Sequence, residues 1–98
     1  MSGNNVIKLD GEEYTLRCDI NVLEKIADKY GEVNKLIDSG ISGVKDAAAW
    51  MINEHWYYIG EHKSITPDYI GAQLDMAGYT DVCKAVIAEL GDCMRTKN

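Results

Sequence analysis

No apolar run in this sequence approaches the ~20 residues that a membrane-spanning helix needs. The opening residues, MSGNN, carry neither the basic nor the apolar region of a signal peptide. These absences lead to the expectation of a cytoplasmic chain with no membrane partner. Cysteine is scarce. Cys18, Cys83 and Cys93 are three in number, widely spaced and without a CxxC pair, which argues against a disulfide framework. Reduced thiols fit a cytoplasm. Cys18 and Cys83 read as small core residues, and Cys93 as a thiol near a frayed end. Basic clusters are also missing. The net charge is -6, and Lys and Arg are spread singly along the chain, which disfavours a polyanion such as DNA as partner. The excess negative charge serves solubility.

Catalytic patterns are absent as well. There is no GxSxG, no readable Cys-His pairing, and neither a GxGxxG nor a GxxxxGK[ST] loop. His55 and His62 fall on one side of a helix but ~10 Å apart along its axis, too far to share one zinc at ~2 Å per bond. The expectation is therefore no enzyme activity, no metal and no cofactor.

What is present begins at Val6. VIKLDGEEYTLRCDINVLEKIADKYG reads as a β-hairpin followed directly by a capped helix. Asp10-Gly11 tolerates the positive φ of a two-residue turn. Pairing Leu9 with Glu12, Ile7 with Tyr14 and Asn5 with Leu16 puts Ile7, Leu9, Tyr14, Leu16 and Cys18 on one face. Asp19 caps a helix whose Ile20, Leu23, Ile26, Ala27 and Tyr30 form a stripe suited to cover that face. Gly31 ends it.

Glu32 to Ser39 predicts a short second helix with Val33, Leu36 and Ile37 inward. A third helix, capped by Ser42, is expected from Gly43 to His62. Its Val44, Ala47, Ala48, Met51, Ile52, His55, Tyr58 and Ile59 share a face, opposite a narrow polar seam of Asp46, Asn53 and Gly60. Thr66-Pro67 starts a fourth helix that carries Ile70, Leu74 and Ala77 and ends at Gly78. Thr80 caps a fifth, with Val82, Cys83, Val86, Ile87 and Leu90 inward and Gly91 as its stop. The expected fold is α+β, mostly α: an N-terminal β-hairpin packed on a bundle of about four to five helices. Residues 1–91 form one globular domain and 92–98 a flexible C-terminal tail.

Thr66 to Leu90 has the outline of a helix-turn-helix, but its second helix offers Lys84 alone against Asp81 and Glu89, so the donors for base edges are missing. An acidic DNA mimic would need a concentrated negative ridge, whereas these acids are dispersed. Trp50, Trp56, Tyr57 and Tyr58 crowd the third helix. Trp50 and Tyr57 lie on one flank, Trp56 on the other. Either neighbouring helices cover both flanks, or one flank is a docking surface, as Trp and Tyr dominate interfaces. Trp50, Tyr57 and Trp56 are the candidate partner-binding residues.

Ile7, Leu9, Asp10, Gly11, Tyr14, Thr15, Leu16, Arg17, Asp19, Ile20, Asn21 and Leu23 together resemble the opening of the tail assembly chaperones of long-tailed bacteriophages and related prophages. The resemblance spans most of residues 6–91, with specific residues in the first part only. It implies a non-enzymatic protein without a cofactor. Such a protein binds the tape measure protein, keeps its apolar helices soluble and helps bring tail tube protein to it. Self-association is a further expectation. The rival classes are a structural tail or head-tail connector component, and an acidic helical protein-binding regulator or DNA mimic.

Overall fold

The computed structural model describes residues 5–95. Strands β1 (Asn5–Leu9) and β2 (Glu12–Leu16) pair antiparallel in the expected register, with Leu9 opposite Glu12 and Ile7 opposite Tyr14. Asp10 at φ 51° and Gly11 at φ 81° make the turn, the mirror-image geometry that matches strand twist. Ile7, Leu9, Leu16 and Cys18 are buried and Tyr14 half-buried, so the apolar face is the one expected.

Five helices follow: α1 (Ile20–Tyr30), α2 (Val33–Asp38), α3 (Ile41–Tyr58), α4 (Pro67–Ala72) and α5 (Met76–Met94). The hairpin packed against these helices gives a mostly α, α+β architecture. Helix α3 touches every other helix and also β2, while α5 supports β1. Its centre is built from small residues. Ala47, Ala48 and Ala49 are all at most 1% exposed, which lets neighbours approach closely on several sides. Gly43, in its first turn, makes the tightest approach: a Cβ there would collide with the carbonyl of Leu36 in α2.

Several expected boundaries and faces are corrected. Helix α3 starts at Ile41, with Gly40 in the cap position and not Ser42, and it stops at Tyr58, because Gly60 turns to φ 81°. Tyr58 and Ile59, expected in the core, are 65% and 53% exposed. Asn21 on the first turn of α1 bonds Glu54, so the last turn of α3 extends past that cover. Helix α4 ends at Ala72, and α5 starts at Met76, because Asp75 Oδ1 accepts the Gly78 N–H at 2.8 Å and caps the helix there. Thr80 is then interior, its hydroxyl donating to the Met76 carbonyl. Gly91 does not stop α5, which runs to Met94 with Cys93 half-buried against the core. Residues 92–94 of the expected tail are therefore helical, and 96–98 lie outside the described residues.

In α1 the buried pair is Val22 and Ile26, with Leu23 and Tyr30 half-buried and Ile20 left 76% exposed. The helix offers two overlapping apolar registers. Its start is pinned by Asp19 accepting from the N–H groups of Asn21 and Val22, and by the Arg17 N–H donating to the Met51 carbonyl at 3.1 Å. That anchoring selects Val22. No helix among the described residues is long and apolar enough to cross a membrane.

Candidate functional site

The polar seam of α3 is not a solvated edge. Asp46 is only 8% exposed and accepts from Lys29 Nζ at 2.7 Å and from the Tyr30 hydroxyl at 2.6 Å. Burial, then the hydrogen bond and the charge of Asp46, push the Tyr30 hydroxyl up to about 12. Asn53 grips the backbone of Ile65 from both sides, its Nδ2 donating to the carbonyl and its Oδ1 accepting the N–H. Asp46 and Asn53 of the narrow seam therefore fasten α3 to α1 and to the segment before α4. The physical reason is its position: α3 is surrounded, so its polar side chains must find partners inside.

With Asp46 bonded to the end of α1, and Asn21 Nδ2 donating to Glu54 Oε2 at 2.9 Å near its start, α1 and α3 are clamped at both ends. Between the clamps lies an open groove of about 350 Å³ lined by Asn21, Lys25, Trp50, Asn53, Glu54 and Tyr57. Trp50 is half-buried, with its ring edge-on to Tyr30 at 6.4 Å. Tyr57 stands 77% exposed at the other end. The two aromatics share this groove, as their spacing of two turns anticipates.

Trp56 belongs elsewhere. It packs edge-on to Tyr14 at 6.0 Å and lines a second hollow of about 310 Å³ with Tyr14, Ser64, Ile65, Thr66 and Tyr69. Burial, followed by the charge of Tyr69, raises the Tyr14 hydroxyl above its ordinary value. The three candidate residues therefore split into a groove pair and a separate residue that joins α3 to the hairpin.

The rim of the groove is polar. Burial pushes the Asp19 carboxyl up, but hydrogen bonds from Glu54, the Val22 N–H and Arg17 outweigh it and hold Asp19 below its ordinary value. Glu54 moves the opposite way, raised by burial and then by sharing a hydrogen bond with Asp19. Asp19 also pairs with Arg17, whose Nε lies 3.1 Å from its Oδ2. Lys25 supplies a positive group on the same rim.

Sequence reasoning missed Glu89. Weighed in the sequence only as an acid opposing Lys84, it is fully buried, accepting the Cys18 N–H and Asn5 Nδ2, both at 2.9 Å. The signal was its place three residues past Val86 and seven past Val82, on the buried side of α5. The Cys18 thiol beside it is pushed well above its ordinary value by burial and then by its hydrogen-bonding contact with Cys93. Among the described residues, no three His, Cys, Asp or Glu side chains gather as a metal-binding group.

Set against known proteins, the chain matches no family model, no curated protein and no solved structure. The resemblance carried by the opening residues gains no relative from these comparisons. The labels bacteriophage, prophage, tail assembly and chaperone find no relative to attach to, and what holds is a small, mostly helical fold. A D-G hairpin and an Asp-capped helix are local answers to a folding problem that recur in many folds.

Proposed function

We propose that this chain is a non-enzymatic binding protein that holds one amphipathic helix of a client in the groove between α1 and α3. The observation that carries this is the pairing of Trp50 and Tyr57 along that groove, with Tyr57 77% exposed. A half-buried tryptophan held edge-on by Tyr30 is a rigid floor. An exposed tyrosine two turns away is a movable anchor. A helix laid along them would meet apolar contacts at helical spacing and a polar rim of Asn21, Lys25 and Glu54. The groove suits an elongated partner better than a small molecule, because it is open and four of its six lining residues, Asn21, Lys25, Asn53 and Glu54, are polar or charged, unlike the enclosed, mostly apolar pockets of small ligands.

The client that fits is a protein with long apolar helices that needs cover before it assembles. The tape measure protein, with tail tube subunits brought to it in a bacterial cytoplasm, is the client that the opening residues suggest. Co-expression with a tape measure protein tests the proposal. Tyr57→Asp should leave the far-ultraviolet circular dichroism and melting unchanged, because its side chain lies outside the core. It should, however, drive the client into the insoluble fraction. Lys63→Ala, beside Trp56 on the other flank, should have no such effect. A folded Tyr57→Asp variant that still keeps the client soluble would move the site away from the groove.

A further inference from the structure

Two of the three cysteines meet at the joint that Glu89 makes, and neither lines the groove. The Cys18 N–H donates to Glu89 Oε2 at 2.9 Å, so residue 18 lies against the face of α5 that carries Glu89. Cys93 is four residues further along α5. Residues four apart stack on one helix face, and a helical side chain leans back over the preceding turn. The Cys93 thiol is thereby carried towards Cys18, and the two thiols are in hydrogen-bonding contact. Both residues are held in place. Cys18 is 1% exposed, between the end of β2 and the Asp19 cap of α1. Cys93 is half-buried and packs against the core, and its neighbour Met94 lines a hollow with Leu23 and Ile26 of α1. Cys83 stands apart. It precedes Cys93 by ten residues on the same helix, ~15 Å along the axis, whereas bridged cysteines have Cα atoms within ~7 Å.

We propose that Cys18 and Cys93 are a reversible redox pair, whose disulfide locks the junction of hairpin and α1 to the end of α5 when the chain meets an oxidant. Both are free thiols, and a low-molecular-weight disulfide, RSSR, is the oxidant that suits them. Their difference in access orders the steps. The half-buried Cys93 is the one that RSSR reaches. Its Sγ attacks one sulfur of RSSR: a Cys93–SR bond forms, the RS–SR bond breaks and one RSH leaves. The Cys18 Sγ then attacks the Cys93 sulfur: the Cys18–Cys93 bond forms, the Cys93–SR bond breaks and a second RSH leaves. Each thiol proton of the protein ends on a released RSH, so two thiols are oxidised and one external disulfide is reduced. Burial holds the Cys18 thiol well above its ordinary range, so Cys18 is inert alone and reacts with the sulfur placed beside it. The bond closes a loop over most of the chain, and long loops restrict the unfolded chain most. An odd, widely spaced set of cysteines argues against a disulfide framework, but a single pair is assembled by the fold.

Equilibrating the native full chain in oxidised glutathione, quenching with acid and alkylating after unfolding tests the pair. Digestion of the wild type should yield a peptide linked through Cys18 and Cys93. Cys83→Ser leaves only the pair; it should then retain no thiol to alkylate and weigh two hydrogens less. Dithiothreitol should restore every thiol. The oxidised form should melt about 10 °C above the reduced form, as closing so long a loop implies. Cys93→Ser, changed at a half-buried position, should fold by circular dichroism, form no internal disulfide and gain no melting temperature from oxidation. A wild type whose Cys18 and Cys93 both stay alkylatable would overturn the proposal. So would a glutathione adduct on Cys93 that never closes, a link through Cys83, or an oxidised form that does not melt above the reduced one. None of these results depends on whether the groove binds a client.

Discussion

Glu89 joins the two halves of the molecule, and removing it tests how the hairpin is held. Its carboxylate is fully buried on α5 and accepts two hydrogen bonds from the hairpin side, from the Cys18 N–H and from Asn5 Nδ2. A hydrogen bond to a charged group contributes about 1.5–3 kcal/mol, and a buried N–H left without a partner costs about 1–3 kcal/mol. Glu89→Ala removes both bonds, strands the Cys18 N–H and opens a cavity. A loss of about 4 kcal/mol is expected, a large part of the ~5–15 kcal/mol that stabilises a domain of this size. Asn5→Ala removes one bond at a half-buried site where water can replace it, so about 1 kcal/mol is expected. The two losses should not add, because they share a bond. Urea unfolding followed by tryptophan fluorescence measures the total, with an unchanged m value showing that one cooperative unit remains. Hydrogen exchange supplies the local readout: in Glu89→Ala, amides of the β1–β2 ladder should lose protection before those of α3. A loss below about 1 kcal/mol for Glu89→Ala, with the ladder still protected, would refute the role assigned to this carboxylate.

Three further outcomes follow from the packing. Gly43→Ala should destabilise by more than about 2 kcal/mol in the same urea assay, since the added methyl meets the rigid Leu36 carbonyl and not a flexible side chain. Leu16→Ala and Ile52→Ala, at positions 0% and 1% exposed, should each cost about 2–5 kcal/mol; losses under half that at both would mean that the core gives way easily. Tyr30 must keep its proton to donate to Asp46, and its pKa is raised from 10.0 to about 12. Its contribution is complete below 10.0 and is lost as the pH rises through about 12. Melting curves across that alkaline range should fall more steeply for the wild type than for Tyr30→Phe.

The groove pair was legible because two aromatics two turns apart must share a helix side wherever that helix lies. That α1 forms the opposite wall was not legible, since it depends on the fastening of Asp46 and Glu54 to residues distant in sequence. The exposure of Tyr58 and Ile59 was also hidden: their spacing continues the apolar stripe of α3, yet both are more than half exposed.

Local chemistry determined what lies close in sequence. The Asp10-Gly11 turn fixed the strand register, alternation fixed the buried face of the hairpin, and Asp19 fixed the start of α1, because each depends only on neighbours in the chain. Where two local signals competed, the sequence was ambiguous. Thr80 gave way to Asp75, whose carboxylate accepts the Gly78 N–H and starts α5 earlier, and Val22 in place of Ile20 turned inward on α1. Only the tertiary structure decided the fate of the polar residues on α3 and α5. A carboxylate on a helix looks the same in sequence whether it faces water or a buried N–H, and Asp46 and Glu89 became internal fasteners because the elements around them left no solvent to face.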